Sequence, residues 1–293
     1  MGYAARVLAD SVTTRGYETH RLTTIEVTFP RIVLAEFNTH RVFSRNSASS
    51  RAIPVDKRIA MIEADPFEPE AFGRNQKGMQ AAEDLRSEDD VMARAEWTLA
   101  RVDAVRHAKA LALLGVHKQL ANRLIEPFCW HTVVCTATEW ENFFALRCNP
   151  DAQPEIRRAA ELMRDAYEAS TPERLDSGMW HMPLLPDALD LVNAGFTTEE
   201  MCRISVGRCA RVSYLTHDGV RDPRADLELC DRLQRSGHMS PFEHVARPIT
   251  QDDIEDRGLP SYRPFVGNFC GWIQLRKLLP HEDNFRRALE SRR

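Results

Sequence analysis

Seven residues near the N terminus, Thr23-Thr24-Ile25-Glu26-Val27-Thr28-Phe29, alternate apolar with polar side chains and are mostly β-branched or aromatic. A period of two is the pattern of a strand with one face turned to a core. The preceding segment Arg6–Val12 also carries β-branched residues, and Gly16 between the two suits a turn, so together they read as a hairpin. A hairpin must cover its apolar face, and the chain that follows supplies helices. Pro30 fits the first turn of one, because its missing N–H costs nothing there. Val33, Leu34 and Phe37 share a face over Arg31 to about Arg41, which places His40 and Arg41 near the C-terminal end of that helix.

Helical spacing returns from about Asp90 to Leu113, stopped by Gly115, and from His117 to Glu126, ended before Pro127. Val133-Val134-Cys135 reads as a short buried strand. Thr138 and Glu141 have capping-box spacing ahead of a helix that carries Trp140, Phe143 and Phe144 and ends near Arg147. Pro154 opens another helix with the stripe Ile156, Ala160, Met163 and Tyr167. Further helices are expected at Thr197–Val212 and Arg224–Arg235, then a structured turn at Ser240–His244. Between these elements, residues 42–54 form a polar arginine-containing loop closed by Pro54. Asp65–Asp89 mixes Pro, Gly, Asn and acidic residues and reads as a mobile connection or lid. The proline-marked stretch from Thr171 to Asp187 is the best linker. The expected class is α+β, a mixed or antiparallel sheet packed with helices.

Composition narrows the function classes. The 293 residues carry 39 Lys and Arg against 43 Asp and Glu, a net charge of −4. That balance lacks the basic footprint of a nucleic-acid binder, so no direct DNA or RNA binding is expected. No apolar run is long enough to span a membrane, and the first six residues lack the apolar core of a signal peptide. Seven cysteines, odd in number and without a C-x-x-C pair, argue against a disulfide framework and suit a reducing cytoplasm.

The densest chemistry lies in Thr39-His40-Arg41-Val42-Phe43-Ser44-Arg45-Asn46-Ser47-Ala48-Ser49-Ser50-Arg51. Arginine forks match phosphate oxygens, and serine and asparagine add neutral donors, so this segment reads either as a phosphate cradle or as a polar loop at a helix end. Arg123 and Arg147 follow apolar helix faces and read either as pocket residues or as snorkelling arginines. His238 and His244 flank the Ser240–Glu243 turn with no third metal ligand in sequence, and no metal site is expected. Cys129 and Cys135 sit near His131 without the setting of a nucleophile. Neither a G-x-G-x-x-G nor a P-loop motif is present, so a dinucleotide must be held in some other way.

The 39–51 segment resembles the R-H-R-x-x-S-x-N-x-x-S-x-R signature of the flavin-dependent thymidylate synthases, matching it at His40, Arg41, Ser44, Asn46, Ser49 and Arg51. Asn142–Arg147 with Ala152–Arg157 resembles a second nucleotide-contacting region of that family. Ala210-Arg211-Val212-Ser213 and Gly237–His244 resemble its flavin-contacting segments, although in the usual member these precede the signature. The altered order implies a circular permutation. One composite domain over 1–293 is then expected, with a signature-loop and helical part at 1–170, a linker joining ancestral termini at 171–195, and a flavin-contacting part at 196–293.

The resemblance implies residue roles. Glu36, Ser47, Ser49, Arg51, Arg123 and Arg147 are the substrate-binding candidates, with Arg51 and Arg123 on a 5′-phosphate. Arg147 and Ser49 are the catalytic candidates, Arg147 stabilising charge at the pyrimidine. His40, Arg41, Val42, Asn142, Ser213, Ser240 and Glu243 are the flavin-contacting candidates. The implied reaction is reductive C5 methylation of dUMP, with methylenetetrahydrofolate as carbon donor and FAD reduced by NADPH, in a cytoplasmic homotetramer whose sites form between subunits.

Departures from the family pattern keep two alternatives open. Thr39 replaces the first signature arginine, Glu36 a common glutamine, Ser47 a common glutamate and Ala52 a tyrosine. Thr136, Thr138 and Asp151 also depart. An ionised Glu36 only accepts hydrogen bonds, which suits a cytosine amino group better than a uracil carbonyl. The alternatives are a related C5-modifying enzyme, such as a hydroxymethylase or dCMP-directed enzyme, and a catalytically silent nucleotide-binding homologue.

Overall fold

The computed structural model describes residues 2–15, 17–78, 80–212 and 222–280, together with 282, 284 and 286. The expected hairpin is present. Strands β1 (Ala4–Arg15) and β2 (Glu18–Pro30) pair antiparallel, with a register shift between Val7 and Ala9; Gly16 lies outside the described residues. With β3 (Ser44–Ser47), β4 (Trp130–Ala137) and β5 (Glu173–Arg174) they form a mixed sheet in the order β3-β4-β2-β1-β5, in which β5 runs parallel to β1.

The period of two in β2 divides the molecule. Ile25, Val27 and Phe29 are at most 1% exposed and face a core built with Phe37, Phe43, Val133, Trp140 and Phe143. The helices α1 (Leu34–Asn38), α2 (Val55–Ala64), α3 (Ser87–Leu113), α4 (Lys118–Ala121), α5 (Glu141–Arg147) and α6 (Pro154–Ala169) follow in this part of the chain. Ile156, Ala160 and Met163 of α6 bury the stripe read from the sequence against that core. Leu22 and Thr24, one residue out of phase, face the opposite side. There Leu22 packs with Leu175, Ala246, Phe269 and Trp272.

That second layer contains α7 (Ala188–Asn193), α8 (Thr198–Arg211), α9 (Pro223–Arg235) and α10 (Gln251–Arg257). Short strands β6 (Ala246–Pro248) and β9 (Trp272–Gln274) pair with each other, as do β7 (Phe265–Val266) and β8 (Phe269–Cys270). A capping box of Thr197 and Glu200 starts α8. Gly207 lets α8 meet α9 closely, since a Cβ there would lie 2.5 Å from the Asp226 carbonyl oxygen.

A buried hydrogen-bond chain joins the two layers through the sheet. Ser11 Oγ meets His181 Nδ1 at 2.8 Å, and His181 Nε2 meets Thr24 Oγ1 at 2.8 Å. Thr24 Oγ1 meets Thr136 Oγ1 at 2.7 Å, and Thr136 Oγ1 meets His244 Nδ1 at 2.8 Å. Burial pushes both imidazoles down to about 3, so each is neutral.

Several local expectations are corrected. The helix after Pro30 is a 3-10 turn, Arg31–Val33, followed by α1, and it stops at Asn38. The Thr39 hydroxyl takes the Glu36 carbonyl at 2.6 Å, which leaves His40 and Arg41 beyond the helix. The 42–54 loop contains an edge strand, β3, and α2 follows it unforeseen. His117–Glu126 is only the short α4 and then a 3-10 segment, Asn122–Phe128, with Pro127 inside. The Thr138 capping box does not form; its hydroxyl instead accepts from the Cys270 backbone N–H at 3.0 Å. The 65–89 connection is not a free lid at its start. Phe67 is fully buried, its carbonyl accepts from Trp97 Nε1, and Arg94 holds the carbonyls of Pro69 and Glu70. Within 171–195, His181 pairs with Ala246, and Arg208 bonds the Leu184 carbonyl and the Asp187 carboxylate.

Candidate functional site

The signature segment changes character along its length. Phe43 is buried between Phe37, Trp140 and Phe143, which anchors the start of β3. The Arg45 side chain reaches back to the carbonyls of Phe37 and His40. Asn46 is buried and ties β3 to the second layer: its Nδ2 donates to the Cys209 carbonyl at 3.2 Å, and Ser240 Oγ donates to its Oδ1 at 2.8 Å. The Ser50 hydroxyl donates to Glu126, and Asn122 Nδ2 donates to the carbonyls of Ser50 and Ile53.

These tethers shape a cleft of about 660 Å³. Arg45, Asn46, Ser47, Ser49, Arg51 and Ala52 form one wall. His117, Lys118 and Gln119 form another, and Ala210, Leu233, His238, Ser240 and Pro241 come from the second layer. Three fixed cations, Arg45, Arg51 and Lys118, stand among these described lining residues without a carboxylate. The donor set and volume fit a phosphate-bearing ligand of nucleotide size. No sequence motif marks Lys118 and its neighbours as site residues. Their approach depends on the Lys118 ammonium reaching the Ala52 carbonyl at 3.3 Å, a contact across 66 residues with no local signal.

Next to the start of β3, Arg147 and His40 meet. Arg147 Nε donates to His40 Nε2 at 3.0 Å and Arg147 Nη2 donates to Thr39 Oγ1 at 3.3 Å. His40 is 8% exposed. Burial, then the charges of Arg147 and Arg45, push its imidazole down to about 4, so it accepts from Arg147 as a neutral ring.

The remaining candidates are dispersed. Arg41, Val42 and Asn142 are exposed outside the cleft lining, and the Val42 carbonyl accepts from Asn268 at 2.8 Å. Glu243 faces Arg276, which donates to its Oε1 at 2.5 Å. Ser213 lies outside the described residues. Arg123 opens on a different cavity of about 420 Å³, shared with Arg31, Asn38 and Glu126, and donates to Glu126 at 2.9 Å. Burial opposes ionisation of Glu126, yet the Ser50 hydrogen bond and the Arg31 and Arg123 charges outweigh it and hold its carboxyl below the usual range. Glu36 Oε2 is buried with no hydrogen-bond partner among the described residues.

His238 and His244 do not converge. His238 Nδ1 pairs with Ser236 Oγ at 2.7 Å, whereas His244 is fully buried on Thr136. Among the described residues no three His, Cys, Asp or Glu side chains are grouped to hold a metal ion. Burial pushes the thiols of Cys129 and Cys135 up, which leaves both protonated and poorly nucleophilic. No helix among the described residues is long and apolar enough to cross a membrane.

The family model described as thymidylate synthase complementing protein matches residues 14–173, more than half of the chain, with the signature segment, Arg123 and Arg147 inside the match. The chain belongs to that family, the flavin-dependent thymidylate synthase family. None of the curated proteins matches the sequence. Two solved structures of a UMP/dUMP methylase PolB from Streptomyces cacaoi, one bound with 5-Br dUMP and one with 5-Br UMP, are similar at 21% identity over 50% of this chain. Their TM-scores are 0.43 and 0.44, and this chain spans 66% and 69% of theirs.

Proposed function

We propose that this chain is a flavin-dependent enzyme that methylates C5 of a pyrimidine nucleotide, dUMP, with methylenetetrahydrofolate as carbon donor and NADPH as reductant of FAD. The carrying observation is the bond from Ser240 to Asn46, which brings a residue of the flavin-contacting turn onto the signature segment at the rim of a cationic cleft. It also supports the permuted reading, in which 171–195 joins ancestral termini and 1–293 is one composite domain. Family membership supports the reaction class.

Reduced FAD would supply hydride when bound; of its candidate contacts Ser240 lines the cleft, whose cations fit the phosphate charge of a nucleotide or a flavin. Arg51, Arg45 and Lys118 hold phosphate charge, and Ser47 and Ser49 donate beside them. Arg147, its guanidinium plane fixed by neutral His40 and by Thr39, stabilises negative charge that develops on the pyrimidine. Glu243, held by Arg276, keeps the Ser240–Glu243 turn in place. Arg51 and Arg123 open on different cavities in one chain, so the proposal that both hold one phosphate carries with it the proposal of a homotetramer whose sites form between subunits.

A second reading, a cytosine-directed relative, rests on Glu36, whose Oε2 is buried without a hydrogen-bond partner among the described residues, although Glu36 lines neither the cleft nor the Arg123 cavity. The deciding experiment is the visible spectrum of the purified chain with FAD, followed by product analysis with dUMP, methylenetetrahydrofolate and NADPH. A bound-flavin spectrum with dTMP formed is expected. Flavin retention with product only from dCMP selects the second reading, and no flavin retention at all overturns both.

A further inference from the structure

A third segment, from the tip between β7 and β8 to the end of β9, is bonded both to the signature segment and to the Ser240–Glu243 turn. Asn268 at that tip donates through Nδ2 to the Val42 carbonyl at 2.8 Å and to Ser44 Oγ at 3.1 Å. Gln274 is 2% exposed, and its Nε2 donates to Asn268 Oδ1 at 2.9 Å and to Ser44 Oγ at 3.0 Å. The same Nε2 reaches the Glu243 carbonyl at 3.4 Å. Beyond it the Leu275 N–H donates to the Val245 carbonyl at 2.7 Å, and Arg276 holds the Glu243 carboxylate. Gly267 leaves room for the Gln274 amide, because a Cβ there would lie 2.7 Å from its Oε1.

The Val42 carbonyl can only accept, so it turns the Asn268 amide with Nδ2 toward itself and Oδ1 toward Gln274, which must then present Nε2. One backbone carbonyl of the signature segment thus sets the orientation of both amides. Their bonds end on Val42 and Glu243, two of the flavin-contacting candidates, yet Asn268 and Gln274 lie in neither of those segments and outside the 14–173 family match. We infer that Asn268 and Gln274 are positioning residues for the flavin. They act through the Val42 peptide and the Ser240–Glu243 turn, holding the two in fixed relation. A rigid ring must satisfy contacts on both segments at once, so loosening either one weakens it. This role rests on the flavin reading of those two segments.

The test is titration of the full chain with FAD, followed by flavin fluorescence, with urea unfolding of each variant alongside. Asn268→Ala should raise the Kd for FAD roughly tenfold. Gln274→Met keeps the length of the side chain and removes its donor, and it should weaken FAD at least as much. Ser205→Ala is the control for lost stability, since it removes a buried bond of 2.6 Å to the Pro183 carbonyl in the same layer. It should lower the urea midpoint and leave FAD affinity unchanged. If Gln274→Met fails to fold, Asn268→Ala decides. FAD bound by wild type and equally well by Asn268→Ala overturns the positioning role alone, as does an equal loss of affinity in Ser205→Ala. A wild-type chain that binds no FAD overturns the flavin reading and this role with it.

Discussion

Arg147 Nε donates to His40 Nε2 at 3.0 Å, across 107 residues of sequence, and the bond requires a neutral imidazole nitrogen. A residue assigned to the pyrimidine and one assigned to the flavin thus share a contact. Arg147→Lys retains a cation but loses the planar fork that meets His40 and Thr39 together. The expected result is a fall in kcat of roughly 100-fold, the scale of removing one oriented donor, with a smaller change in KM for dUMP. Steady-state kinetics of the variant measure both. Unchanged kcat would remove Arg147 from the reacting centre.

The cleft cations should report on phosphate. Arg51→Ala and Lys118→Ala are each expected to weaken dUMP binding by about tenfold or more, the cost of a charge-assisted hydrogen bond. Deoxyuridine, which lacks the phosphate, should bind wild type and variants alike. Equilibrium titration of both ligands gives the comparison, and an equal loss for both would assign these residues to folding.

Glu36→Gln replaces a buried acceptor by a group that both donates and accepts. If the carboxylate selects cytosine, the variant shifts the ratio of kcat/KM for dUMP over dCMP upward by about tenfold, one good hydrogen bond. An unchanged ratio would eliminate Glu36 as a specificity residue.

Acid should destabilise the chain early. His40, His131, His181 and His244 are buried, with their imidazoles pushed from 6.5 down to about 4, 3, 3 and 3. Below 6.5 the unfolded chain binds protons at these positions that the folded chain refuses, so their contribution is full above 6.5 and declines as pH falls toward the folded values. Each should lose on the order of 1 kcal/mol between about pH 7 and about pH 5.5. Urea unfolding at the two pH values tests this, and equal midpoints would contradict it.

The buried chain from Ser11 to His244 should behave as a unit. Thr136→Val removes the hydroxyl shared by Thr24 and His244, leaving buried groups unpaired, and is expected to cost about 2–4 kcal/mol. Adding Thr24→Val should cost clearly less than the two single losses combined, because the shared bond is already gone. Denaturant unfolding of the three variants measures the coupling, and strict additivity would count against a cooperative network.

Local patterns determined much of this protein. The alternation in Thr23–Phe29 specified the central strand, the stripe Ile156, Ala160, Met163 and Tyr167 specified the covering helix, and Thr197 with Glu200 specified a helix start. Such features are set by period and capping within one or two turns of chain, and a short motif likewise marked the signature segment. Tertiary structure decided the rest. Ser44-Arg45-Asn46-Ser47 has no apolar alternation and becomes a strand only because β4 offers its edge. Thr138 has the spacing of a cap but serves Cys270 instead. Lys118 enters the cleft, and Arg123 leaves it for Glu126, through contacts that only the folded backbone creates. A polar side chain takes whichever partner the packing brings within reach, and that distance is not written in its neighbours along the chain.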